Sequence, residues 1–206
     1  MRYIRNLCFL VAASYAAGTI AVASSATHAA KTSRLTFPPS TSLESGCVGQ
    51  LNYVEKSVVD LAENMPAEKF DFTPEGLNIP GSAYNGVRTF AGQVKHLATD
   101  NYDMWCAITG DPLPAGIKNV NGPEELKSKP DIMKYLKGSF AEGHKAIAAM
   151  TTENALEMIP FRGSKMTRLE LTFYALTHSM DHYGQMVVYL RMAGIVPGSG
   201  TMKMSK

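Results

Sequence analysis

The chain has 206 residues, 45% hydrophobic and 18% charged, enough for one domain with a sizeable core and short for two. Lysine and arginine total 20 against 18 acidic residues; without Arg2 and Arg5, which lie in an N-terminal segment read below as removable, the balance is 18 to 18. Near-neutrality and ordinary Gly and Pro content exclude electrostatic capture of nucleic acid or acidic membrane as the main activity, and exclude a collagenous or disordered chain.

Residues 1–30 begin with Arg2 and Arg5, continue through the apolar run Leu7-Cys8-Phe9-Leu10-Val11-Ala12-Ala13 and end in the small residues of Thr27-His28-Ala29-Ala30. This is the pattern of a secretory signal peptide, and it predicts a secreted or periplasmic protein with no membrane attachment after cleavage. The alternative is an uncleaved anchor, since Leu7 to Ala23 carries no charge; Ser14, Gly18, Thr19 and the small-residue end favour cleavage. Cys8 leaves with the signal, so Cys47 and Cys106 remain. No C-x-x-C occurs, which leaves a thioredoxin-type centre or a c-type haem unsupported. Residues 31–46, rich in Ser, Thr and Pro, read as a flexible leader.

From Val48 to Asn64, Leu51, Val54, Val58 and Leu61 recur at helical spacing until Met65-Pro66 stops the run. The stretch from Lys69 to Gly86, punctuated by Pro74, Gly76, Pro80 and Gly81, reads as a loop with at most a short extended piece at Phe70-Asp71-Phe72. Thr89 is the expected N-cap of a second helix, whose stripe of Phe90, Val94, Leu97, Met104, Trp105 and Ile108 ends before Gly110-Asp111-Pro112. The connection from Gly110 to Pro130 is far longer than bundle helices need, which marks a crossover. Asp131 is the expected cap of helix three, built on Ile132, Met133, Leu136, Phe140, Ile147 and Met150. An irregular stretch containing Pro160 and Gly163 follows, and then a long helix from Thr167 to Ala193, closed by Gly194. Four helices and no alternating strand pattern of useful length predict an all-α four-helix bundle over residues 47–200, with a tail at 201–206. If helices one and two pack antiparallel, Cys47 and Cys106 share one end. They then either form a disulfide, worth about 4 kcal/mol from chain entropy, or serve as two small buried hydrophobes.

Four histidines survive signal removal. His178 and His182 are four apart on the last helix, so both rings project from one face and can grip one ion. Along that helix Leu169, Phe173, Leu176, Met180, Tyr183, Val187 and Leu190 form an apolar stripe expected to face the core. Tyr174, His178, His182, Gln185 and Tyr189 run on nearly the opposite side. That second stripe suits a groove, or a face against water or a homodimer partner. His96 lies mid-helix two beside Gln93, Asp100 and Asp103. With helices two and four antiparallel, it stands at the height of the His178/His182 pair. His144 has no partner at ligand spacing and reads as a surface or packing residue. The chain lacks H-E-x-x-H, E-x-x-H, calcium-loop, phosphate-loop and G-x-S-x-G patterns.

Val94-Lys95-His96-Leu97-Ala98, the stretch Thr177-His178-Ser179-Met180-Asp181-His182-Tyr183-Gly184-Gln185, and Gly194-Ile195-Val196-Pro197 resemble the DinB-like superfamily of four-helix-bundle metalloproteins. The segment Met65-Pro66-Ala67-Glu68-Lys69-Phe70 resembles its exported branch. The resemblance implies an up-down-down-up topology and a divalent metal ion held by His96, His178 and His182. It further implies an activity among thiol-dependent transferases and isomerases or metal-dependent hydrolases. Zinc, nickel and ferrous iron all suit imidazole. The reading is thus an exported metal-dependent hydrolase or transferase acting on a small molecule; the alternative is a metal-binding or stress-response protein without turnover. Asp181, Asp100, Tyr174, Gln185 and Tyr102 are near enough in sequence to surround the ion or touch a substrate.

Overall fold

The computed structural model describes residues 40–198. The expected signal peptide and the tail at 201–206 lie outside that range, as does most of the expected leader. Helix α1 spans Leu43–Asn64, α2 Phe90–Thr109, α3 Lys129–Ala148 and α4 Arg168–Met192. Among the described residues no helix is long and apolar enough to cross a membrane.

Local chemistry sets most helix boundaries. Thr89 caps α2 by accepting from the Gly92 N–H, and Gly110, at φ 81°, closes it in the left-handed region. The next orphan donors of α2 are met by the preceding loop, where Phe72 and Phe70 carbonyls accept from the N–H groups of Phe90 and Ala91. Thr167 and Glu170 form a reciprocal capping box at the start of α4. Two boundaries differ from the sequence reading. Ser42 and Ser45 build a capping box that starts α1 a turn before Cys47. Ser128, not Asp131, caps α3, and Pro130 sits harmlessly in the first turn, where its missing N–H costs nothing.

The stretch around Pro160 and Gly163 is a small antiparallel hairpin, β1 Met158–Phe161 and β2 Ser164–Thr167, with Phe161 opposite Ser164. Its strands are four residues each, too short to register as alternation, and the two-residue turn Arg162-Gly163 has positive φ at both positions, 45° and 78°.

Cross-helix contacts fix the directions. Arg168 at the start of α4 donates to the Ile108 carbonyl at the end of α2, and Tyr189 Oη donates to the Arg88 carbonyl at the other end (2.9 Å), so α2 and α4 are antiparallel. Thr99 meets Tyr135 and Asn101 meets Ser139, so α2 and α3 run parallel. Glu55 meets His144 while Lys137 reaches Glu63, so α1 and α3 are antiparallel. The topology is therefore up-down-down-up, and the parallel α2–α3 pair is what requires the long crossover. Both α1 and α2 pack on α3 and α4, which places α1 and α2 diagonally. Cys47 and Cys106 do lie at one end of the bundle, but on diagonal helices, and both are free and buried.

The core is contiguous, from Leu51, Val58 and Leu61 of α1 through Phe90, Leu97 and Trp105 of α2 to Leu136, Phe140, Leu171 and Leu190. At mid-height it turns polar: Asn101 donates to Ser139 Oγ (3.4 Å) and accepts from Ser179 Oγ (3.0 Å), tying α2, α3 and α4 together beside the histidines.

Candidate metal centre

The face that α4 turns to the core is not the predicted stripe. Of the predicted stripe only Leu176 and Leu190 are buried, together with Leu171, Thr172, Ala175, Ser179, His182, Met186 and Tyr189, whereas Phe173 is 56% exposed and Leu169, Met180, Tyr183 and Val187 are only half-buried. The apolar stripe and the stripe of His and Tyr both run along the helix, and α2 packs on the latter. His182 is accordingly 5% exposed and His178 half-buried. His96 is also buried, at 7%. The crossover covers the side of α2 that a bare helical wheel leaves open: Gly122, at φ 78°, comes so near that a Cβ there would stand 2.7 Å from Thr99 Oγ1. In the same segment the Val120 carbonyl lies 2.6 Å from His96 Nδ1.

His96, His178 and His182 come together. Their ring centroids are 4.7 Å (His96–His182), 4.6 Å (His178–His182) and 5.6 Å (His96–His178) apart, and one nitrogen from each lies within 4.8 Å of the others. A carbonyl oxygen only accepts, so His96 donates from Nδ1 to Val120 and His182 donates from Nδ1 to Gln93 Oε1 at 2.9 Å. Both rings are thereby held in the tautomer that leaves a lone pair on Nε2, the support expected of metal-ligating histidines. Burial first, then the neighbouring His178 and His96 rings, pushes His182 down to about 4; burial also lowers His178, against the pull of Asp100. At neutral pH these two are neutral imidazoles, the form that ligates a cation.

The donor set fits a divalent cation for a further reason. Asp100 is buried (4% exposed), and its Oδ2 lies 3.8 Å from His96 Nε2 and 3.2 Å from His178 Nε2. His178 Nε2 can donate to that carboxylate, and its Nδ1 is buried and meets no hydrogen-bond partner among the described residues, a lone pair that a bound cation would satisfy. His144 stands apart, with Nε2 2.7 Å from Glu55 Oε2.

Of the residues expected around the ion, Gln185 donates from Nε2 to Asp181 Oδ2 (2.9 Å) and accepts from Gln93 Nε2 (3.1 Å), so a chain of amides supports His182. The Tyr174 ring lies 6.0 Å from His178. Tyr102 does not join: it packs on Tyr135 at 5.1 Å and against Gly138 of α3. Arg162 was not foreseen. From the hairpin turn it donates to Asp100 Oδ1 (2.8 Å) and Asp103 Oδ2 (2.7 Å). The local signal was an Arg-Gly pair between two short β-compatible runs, too slight to aim a side chain 62 residues back along the chain. The Val120 carbonyl was likewise illegible, because any residue type supplies one.

An open cleft of about 800 Å³ lies beside the centre, lined by Tyr84, Arg88, Lys95, Asn121 and Tyr189, with Gln93 and Gln185 as the wall shared with His182. A smaller one of about 190 Å³ adjoins Asp100, Val120 and Arg162.

The sequence profile of the DinB superfamily matches residues 50–186, a span that takes in all three histidines and both packed faces. The chain belongs to the DinB superfamily. Two solved DinB-like proteins share its fold. One, from Bacillus subtilis, is 21% identical with a TM-score of 0.55, the alignment covering 72% of this chain and 92% of that protein. Another, from Bacillus cereus, is 17% identical with a TM-score of 0.57, covering 77% and 97%. At these identities they speak for the fold alone. Comparison with curated proteins finds no match.

Proposed function

We propose that this DinB-superfamily protein is an exported metal-dependent enzyme, a hydrolase or transferase of small molecules, with a divalent ion held by His96, His178 and His182. The observation that carries the reading is the convergence of one nitrogen from each of three histidines, on two separate helices, within 4.8 Å. An ion so held supplies Lewis acidity and activates water or a thiol at neutral pH. The chain does the rest. Val120 and Gln93 orient His96 and His182 from behind, and burial keeps the imidazoles of His178 and His182 unprotonated. The large cleft is within the usual range for small-molecule sites, and Arg88 and Lys95 bring positive charge to its wall. That cleft meets the centre through Gln93, which holds His182, and is lined by none of the three histidines. Export is inferred from Arg2, Arg5 and the apolar run after them, and is checked by the N-terminal sequence of the mature protein. Neutral charge gives no basis for nucleic acid as a partner, and a homodimer is checked by sedimentation. The decisive experiment is elemental analysis of the purified wild type and a His178→Ala/His182→Ala variant, followed by a hydrolysis and thiol-transfer screen with and without chelator. Near-stoichiometric metal in the wild type and its loss in the variant are expected; equal content in both ends the reading.

A further inference from the structure

The cleft that lies against Gln93 and Gln185 carries positive charge out of proportion to a chain whose charges nearly balance. Arg88 and Lys95 line it, and none of its lining residues is acidic. Glu75 and Asp181 bond to lining residues, at the Gly86 N–H (3.4 Å) and at Gln185 Nε2 (2.9 Å), but neither pairs with Arg88 or Lys95. Glu124, Glu125 and Lys127 of the crossover act on Lys95 without lining the cleft, and neither glutamate is at ion-pair distance from it. Charge of one sign gathered on a concave wall draws a small ion of the other sign.

Arg88 is also held in place. Its carbonyl accepts from Tyr189 Oη of α4 (2.9 Å), and its Nε donates to Asn121 Oδ1 of the crossover (3.2 Å). Its stem lies over Gly92, where a Cβ would stand 3.3 Å from Arg88 Cβ. Both Nη groups are left without a partner among the described residues, and Asn121, its oxygen used, still has amide hydrogens to give. A guanidinium anchored by Nε meets a ligand through its Nη edge, whose two parallel N–H groups fit two oxygens of a carboxylate or phosphate. The first turn of α2 offers no backbone donor to such a ligand, because the N–H groups of Phe90, Ala91, Gly92 and Gln93 all bond within the chain.

We propose that this cleft binds a small organic acid, its anionic headgroup on the Nη edge of Arg88 and on Asn121, with Lys95 as a second charge for a diacid or a phosphate monoester. A cleft of about 800 Å³ has room for the body of such a molecule beside its headgroup. The binding site itself does not depend on a metal. That its occupant is the substrate rests on the reading of the histidines as a metal centre, which the cleft meets through Gln93 and its bond to His182.

The test is titration calorimetry of the purified wild type with succinate, phenyl phosphate and the neutral succinamide, before and after removal of metal by chelator and dialysis. At least one acid should bind about tenfold or more tightly than succinamide, more weakly as salt rises, and equally well before and after chelation; the acid that binds tighter names the headgroup. Arg88→Gln should weaken that binding about tenfold or more, and Arg88→Lys, which keeps the charge and loses the fork, should weaken it several-fold, both with unchanged circular dichroism. The wild-type arm does not depend on any variant folding. No preference for either acid over succinamide, a preference that the chelator abolishes, or folded Arg88 variants that bind like wild type overturns the inference, and each leaves the three-histidine centre standing. A wild type without metal that still prefers an acid removes that centre and leaves the cleft.

Discussion

Acidifying the chelated, metal-free protein probes the histidine centre through its effect on folding. In the folded chain burial, reinforced by His178 and His96, puts His182 at about 4 against 6.5 for an unperturbed imidazole. On the way down in pH the unfolded chain takes up the proton first, so this stabilisation is complete above about pH 6.5 and is lost as pH falls toward 4. The gap between the two values corresponds to about 3 kcal/mol in the limit, and linkage puts about 2 kcal/mol of it as already lost at pH 5. His178 is shifted in the same direction, again chiefly by burial. The lowered carboxyls of Asp111 and Glu170, held by Lys145 and by the Thr167 backbone, also stabilise less in acid, but over a lower pH range. Urea unfolding of the wild type and His182→Gln at pH 7.5, 6 and 5 separates the contributions, because glutamine removes the titrating ring and keeps an amide that can donate to Gln93. The wild type is expected to lose about 2 kcal/mol more than the variant between pH 7.5 and 5. Parallel losses would show that His182 is not held neutral by its surroundings.

Other expectations concern packing and caps. In Gly143→Ala the new Cβ would stand 2.9 Å from Trp105 Cε2 and Nε1 and 3.2 Å from Leu51 Cδ2. Overpacking of about 1–3 kcal/mol outweighs the roughly 1 kcal/mol gained in helix propensity, so chemical denaturation should show a net loss, and a stabilised variant would contradict the close α2–α3 packing. Thr167→Ala breaks the α4 capping box and should cost about 1 kcal/mol, with Thr167→Ser recovering most of it. Burial pushes the Cys106 thiol up to about 11, with Glu142 adding to the effect, and burial raises Cys47. Peptide mapping after iodoacetamide at pH 7.5 should find both unmodified in the native protein and both modified in urea; native labelling of Cys106 would refute its burial.

Much of this molecule is written locally. Thr89 with Gly110, Thr167 with Glu170, and Gly194 mark helix ends because a cap needs only its own turn of chain, and the four-residue spacing of His178 and His182 sets two rings on one side of α4 wherever that helix packs. The phase of α4 was not available in the same way. Its wheel carries two stripes, and only the surface of α2 decides that Ser179, His182 and Tyr189 go inward while Phe173 stays out. The burial of His96 and Asp100 is not legible in α2 itself, because the crossover packed beside them is distant in sequence and carries no periodic pattern. Cys47 and Cys106 remain apart because α1 and α2 are diagonal, a consequence of how four helices divide their contacts and not of any one helix. Sequence thus determined the helices, most of their ends and the identity of the imidazoles, since these depend on neighbours within a turn or two. Tertiary structure alone decided which face was buried, brought the Val120 carbonyl behind His96, and aimed Arg162 at Asp100, because each of these joins groups far apart along the chain.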